Sequence, residues 1–280
     1  MRDTRVELIQ MATTQDVEAN IASALARLDE LADSGARPDL VCLPEMFTFR
    51  PLGSVPVTEV GIPGGHPLAA ELAARARRLN SYLVGTYITE EADGTYANTC
   101  RVFNRSGELI GSYRKTHLFD APGHAESAHV TAGERLCLVE ADFATFGLVI
   151  CYELRFPEIA RTLALAGAEC LVVPNSWPMD GSGRTPEELR TLLAATAIQN
   201  QAYVVHTNQT GRVAGLDLAG GTCVLDPRGH VVADAGGNGE QTVSGALRGA
   251  HVDEARAHRH LYAHRRPELY EPSAVARLRG

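Results

Sequence analysis

The sequence predicts an α/β fold in which two sheets are covered by helices, and three observations carry that expectation. Short apolar runs rich in Val, Leu and Ile alternate with amphipathic stretches of helical period along the whole chain. Several of these runs stop abruptly at polar or charged residues, as strands do where their loops converge. Ser106-Gly107 separates two extended segments, so part of the sheet is antiparallel. The chain has 280 residues, 45% of them hydrophobic, which is enough for a substantial core. No Pro/Ser-rich or low-complexity stretch divides it, so residues 1–280 are expected to form one domain. No repeat of 20 to 50 residues suggests a solenoid.

Taken in order, VELIQMA is a strand. A helix follows from about Gln15, with Val17, Ile21, Leu25, Leu28 and Leu31 on one face. DLVCLP, Asp39 to Pro44, is a short buried strand, Leu68 to Leu79 a second helix, and SYLVGTYI the next strand. YANTCRVFN and ELIGSY form the hairpin around Ser106-Gly107. FGLVI is a strand, followed by a helix near Glu158 to Ala166 opened by Pro157 and then by the strand ECLVVP. In TPEE, Thr185 is placed to cap a helix, Pro186 suits its first position, and Glu188 completes a capping box. AYVVHTN, GTCVLD, the turn Asp226-Pro227-Arg228-Gly229 and HVVADA complete the core.

The formal charge of −8 argues against a general binder of nucleic acid or acidic membranes, which needs a basic surface. A small-molecule substrate is the expected partner. Six cysteines lie mostly inside apolar runs, with no CxxC pair and no Cys/His ligand spacing, as reduced thiols of a cytoplasmic protein do. No metal or cofactor is expected. The first residues, MRDTRVELIQMA, have no apolar signal region, and no apolar run approaches a membrane span.

Three residues of complementary chemistry share one setting, the end of a strand or the loop after it: Glu45 after VCLP, Lys115 in SYRKTHLFD, and Cys151 after FGLVI. Each also has a structural reading: a buried core thiol, a carboxylate at a helix start, a solvated loop cation. Together they suit acyl transfer. A carboxylate takes the proton of a thiol, the thiolate attacks a carbonyl, and an ammonium with a backbone N–H stabilises the oxyanion. The Tyr152 N–H, at the bend after the strand, is the candidate backbone donor.

LPEM around Glu45, YRKTHLF around Lys115 and ICYELRFPE around Cys151, in that order, resemble the carbon-nitrogen hydrolases of the nitrilase superfamily. AIQNQAYVV, GGTCVLDPRG and HRRPELY extend the resemblance over most of the chain. It implies a four-layer αββα sandwich that pairs with a second subunit. It also implies Glu45 as general base, Lys115 as oxyanion stabiliser and Cys151 as nucleophile. Glu126 stands where many members have a second glutamate, with Glu134 in the same loop as the alternative.

CYELRFPE and the NSWP stretch are similar to the ω-amidase branch, which acts on small carboxylate-bearing amides. An N-carbamoyl or nitrile hydrolase, and a binding subunit without turnover, are the competing readings. Arg155 is a candidate for holding a substrate carboxylate, against pairing with a glutamate such as Glu158. Trp177 and Asn175 are candidate pocket residues. Glu153 replaces the frequent aspartate of the family, while Leu189, Thr196 and Gln199 depart from it on a helix expected to face the site. GSGRT, from 181 to 185, reads as a loop. Arg256 to Arg266 reads as a solvated or subunit-contacting arm, and His117 as structural.

Overall fold

A computed structural model describes residues 1–50, 55–121, 124–237, 239–270 and 272–274. In chain order, β1 (Thr4–Gln10), α1 (Val17–Asp33), β2 (Leu40–Cys42), α2 (Leu68–Leu79), β3 (Tyr82–Glu90), β4 (Tyr96–Phe103) and β5 (Leu109–Arg114) make the first half. The second half contains β6 (Leu138–Glu140), β7 (Thr145–Leu148), α3 (Pro157–Leu165), β8 (Cys170–Asn175), α4 (Thr185–Asn200), β9 (Tyr203–Asn208), β10 (Cys223–Leu225) and β11 (Val231–Asp234). β12 (Gln241–Leu247) then returns to the first sheet, and α5 (Gly249–His258) follows.

Two six-stranded sheets result, with orders β12-β1-β2-β3-β4-β5 and β11-β10-β9-β8-β7-β6. Each has three adjacent parallel strands, β1-β2-β3 and β7-β8-β9, continued by antiparallel neighbours on both sides. Strands buried on both faces read as continuous apolar runs, which is why DLVCLP and ECLVVP stand out in the sequence.

Alternation along the strands assigns the layers. Val6, Leu8, Leu40, Cys42 and Val84 face Phe146, Leu148, Cys170, Val172, Val205 and Val224 between the sheets. Ile9, Val41 and Leu83 point the other way, against Ile21, Ala24 and Leu28 of α1 and Leu68, Leu72 and Ala76 of α2. On the far side, Leu163 of α3 and Leu189, Leu193 and Ala197 of α4 cover the second sheet. This is the αββα sandwich.

Most sequence-predicted elements form within a residue or two. α1 starts at Val17 because Asp16 caps it, accepting from the Ala19 N–H. The capping box expected at Thr185 does not form. Arg184 is the cap residue of α4 without a side-chain bond, and Thr185 instead exchanges hydrogen bonds with Asp180. Leu189, Thr196 and Gln199 do not line the site cavity: Leu189 and Thr196 pack inside, and Gln199 is exposed. Only the first turn of α4 reaches the cavity, through Thr185 and Glu188. The Arg256–Arg266 arm starts in the last turn of α5 and is mostly exposed, as expected of a solvated arm, with Tyr262 under the Arg161 and Arg256 guanidiniums.

Candidate active site

The ends of β2, β5, β7 and β8 meet at one edge of the sandwich, and their loops carry the site. Glu45 follows β2 and Pro44. Its N–H donates to the Asn175 carbonyl at the end of β8, 3.3 Å away, tying one sheet to the other. Gln209 Nε2 donates to the carbonyls of Glu45 and of Met46, whose φ of +52° bends the chain there. Lys115 lies just past β5. After β7 the chain passes through Cys151 at φ +48°, a left-handed conformation costly for any residue with a Cβ, and enters a short 3₁₀ turn over Cys151–Arg155. That bend points the thiol away from the strand and leaves first-turn N–H groups, including Tyr152's, without partners inside the turn.

Lys115 Nζ is 2.9 Å from Glu45 Oε1 and 2.8 Å from Glu126 Oε2, with 2% or less of the Lys115 and Glu45 side chains exposed. Asn98 Nδ2, from β4, donates to both carboxylates, at 2.8 Å to Glu45 Oε1 and 2.9 Å to Glu126 Oε1. The other Glu45 oxygen accepts the Ser176 N–H at 2.9 Å, and Glu126 Oε2 accepts the Phe119 N–H at 2.7 Å. Behind the bend, Glu153 is fully buried. It accepts from the Ile150 N–H with one oxygen, and from the Tyr113 hydroxyl and the Thr116 N–H and hydroxyl with the other. It thereby joins the Cys151 turn to the Lys115 loop.

Burial alone would drive Glu45 upward, but the Lys115 charge and hydrogen bond outweigh it and hold the carboxyl below its ordinary value. Lys115 is driven down by burial and up by Glu45 and Glu126, and the carboxylates win. Burial and then the Glu45 charge push the Cys151 thiol well above its usual range, against the smaller pull of Lys115. The resting site therefore holds a neutral thiol facing a carboxylate, not a preformed thiolate.

The three groups open into a cavity of about 520 Å³, whose wall includes Glu45, Lys115, Glu126, Cys151, Tyr152 and Trp177. This is a volume suited to a small molecule. The carbon-nitrogen hydrolase family model matches residues 5–257. The chain belongs to the carbon-nitrogen hydrolase family. It is 34% identical over 256 residues to a hydrolase encoded in the pqqF 5′ region of Pseudomonas protegens, covering 90% of this chain and 86% of that protein. It is 31% identical to the omega-amidase NIT2 of Danio rerio, covering 98% and 99% of the two chains. Among solved structures, XC1258 from Xanthomonas campestris, a CN-hydrolase superfamily protein with an arsenic adduct in its active site, superposes with a TM-score of 0.84. That match has 27% identity and covers 95% and 98% of the chains.

Within this carbon-nitrogen hydrolase the structure sorts the remaining candidates. Glu126, not Glu134, reaches the lysine; Glu134 is exposed and lines a separate surface hollow. Trp177 is on the cavity wall. Arg155 is also there, but its guanidinium is paired with Glu188 at 2.5 Å, not with Glu158, and stacks on the Trp177 ring at 4.8 Å. Asn175 is not a cavity residue. It falls on the helix-covered face of β8, where its side-chain nitrogen lies 3.0 Å from His206 Nε2. It was a candidate through the NSWP stretch, but alternation along the strand turns its side chain away from the cavity. His117 stacks on Phe156 outside the cavity. Asn98 and Arg50 were not singled out from the sequence. Nothing local separates Asn98 from Thr99 and Arg101 in the same strand, and Arg50 follows Glu45 by five residues in FTFR.

Proposed function

We propose that this protein hydrolyses the carbon-nitrogen bond of a small amide, releasing ammonia and a carboxylic acid through a thioester on Cys151. The observation that carries the reading is the buried Glu45–Lys115–Glu126 cluster facing the Cys151 thiol in a cavity sized for a small molecule. Relatives named omega-amidases make a small, carboxylate-bearing amide the favoured substrate class.

With the thiol neutral at rest, its proton passes to Glu45 as sulfur attacks the amide carbon, so no free thiolate accumulates. Negative charge grows on the substrate oxygen. The Tyr152 N–H and the remaining hydrogen of Lys115 are the donors for it, because the other two ammonium hydrogens are taken by Glu45 and Glu126. Glu45 then gives its proton to the departing nitrogen, which leaves as ammonia. A water enters, loses a proton to Glu45 and attacks the thioester. The tetrahedral intermediate collapses to the acid, and the sulfur recovers its proton from Glu45. Glu126 and Asn98 hold Lys115 and Glu45 in register throughout.

Ammonia release from a panel of ω-amides, carbamoyl amino acids and nitriles tests this reading, with acid-quenched protein examined by mass for an acyl adduct on Cys151. Turnover confined to amides, an adduct of the acyl mass, and none of either in Cys151→Ala are the expected results. Activity retained in Cys151→Ala would sink the reading.

A further inference from the structure

Arg50 enters the cavity wall from the segment after Glu45 and is buried, with 8% of the residue exposed. Its Nη1 donates to the carbonyl of Ser176 and, at 2.7 Å, to the Ser176 hydroxyl. Among the described residues the rest of the guanidinium makes no hydrogen bond. Among the described residues Nε, closed off from solvent, has no acceptor and Arg50 forms no ion pair. Both other cations on the wall are engaged, Lys115 by two carboxylates and Arg155 by Glu188. A guanidinium offers five donors in a fork that fits a carboxylate, and a buried cation without a counter-ion is costly unless a ligand supplies one.

We propose that Arg50 receives the carboxylate of the substrate's acyl group and thereby selects monoamides of short dicarboxylic acids over neutral amides. The proposal rests on amide hydrolysis at Cys151. Lys115 with its two carboxylates sums to one negative charge, which Arg50 offsets without pairing with either carboxylate; the charge left over on the wall is that of Asp180, which is held by the Ser182 and Thr185 hydroxyls. The Arg50 charge is felt by Glu45 and Cys151 and by His124 on another part of the wall. Arg50 also bonds to the same Ser176 whose N–H holds Glu45, so both ends of a bound acyl group lie near one residue and the chain between them is short. Arg155 sits further out, with 38% of its side chain exposed, and a ligand carboxylate there has to displace Glu188.

Calorimetric titration of the Cys151→Ala protein with glutaramate and with valeramide, its uncharged counterpart, tests this without depending on turnover. Arg50→Gln in that background is expected to weaken glutaramate binding by at least about 30-fold and leave valeramide binding unchanged. Arg50→Lys keeps the charge without the fork and is expected to lose about fivefold for glutaramate alone. Equal weakening of both ligands, no preference for glutaramate in the parent, or a carboxylate-selective loss in Arg155→Gln instead would each overturn the proposal. Selective binding in a protein whose unmutated form releases no ammonia would support the Arg50 assignment while refuting amide hydrolysis.

Discussion

Lys115 is buried between two carboxylates, and removing it leaves both with only N–H donors to share. Breaking a buried ion pair by deleting one partner typically costs about 3–5 kcal/mol, because the remaining charge is uncompensated. Lys115→Met is therefore expected to lose about that much in urea denaturation and all detectable turnover. Adding Glu126→Gln removes one of the stranded charges, so the double variant should regain part of the stability and none of the activity. Recovery of activity would show that the ammonium only balances charge. The thiol gives a second readout. Since burial and Glu45 raise Cys151 above its ordinary value of 9.0, iodoacetamide should alkylate the resting protein slowly, at a rate still rising beyond pH 9. A plateau near neutral pH would contradict the neutral-thiol resting state.

The short turn after β7 and the loop after β5 come from different sheets, and Glu153 is the strut between them. Glu153→Gln puts an NH₂ against either the Ile150 N–H or the Thr116 donors, leaving buried donors facing each other. The expected loss is about 2–4 kcal/mol of stability, with kcat falling about 100-fold as Lys115 and Cys151 lose their relative placement. Thermal melting and steady-state rates separate these effects, and unchanged kcat would remove the strut from the mechanism. This scale also shows what the sequence could reveal. Glu45 and Cys151 were legible because each ends an apolar run with a charge or thiol at a strand end, and Lys115 because YRKTHLF stands between them in the order of the resemblance. Asn98 was not, since nothing local says that a mid-strand amide points between two carboxylates. β12 was missed as well: QTVSGAL alternates buried and exposed, but its buried face is only Val243, Gly245 and Leu247, and the glycine breaks the apolar signal. Glu188 fitted a local capping pattern, yet the long-range pair with Arg155 claims its side chain.

Across the whole molecule, the two sheets meet so closely that a Cβ on Gly245 of β12 would lie 2.8 Å from a Val224 methyl and 3.0 Å from one of Val6. Gly245→Ala should thus cost about 1–3 kcal/mol as overpacking, with little change in kcat, because the site lies at the ends of other strands. His206 governs a different global property, the dependence of stability on pH. It is buried on the helix-covered face of the second sheet, between the Asn175 side-chain nitrogen and the Gly221 carbonyl. Burial lowers it from 6.5 to about 3. Between those values the unfolded chain binds a proton that the folded chain does not, so stability rises with pH across this window. The slope from this one group is up to about 1.4 kcal/mol per pH unit. Its contribution is complete above 6.5 and lost as pH falls toward 3. The lowered Glu45 adds to the acid side below its ordinary 4.5. The raised Lys115 acts at the other end, with its stabilisation intact below 10.5 and lost as pH climbs above it. The buried thiols Cys42, Cys100, Cys151, Cys170 and Cys223, all raised above 9.0 by burial, act sooner, because the unfolded chain gives up their protons from pH 9 while the folded chain keeps them. Stability should therefore plateau between about pH 6.5 and 9 and fall on both sides. His206→Gln keeps an acceptor for Asn175 but has no proton to bind. Urea denaturation from pH 4.5 to 7.5 should then show a lower plateau and a shallower acid limb, by close to one proton per molecule. A limb as steep as the parent's would place the acid sensitivity elsewhere.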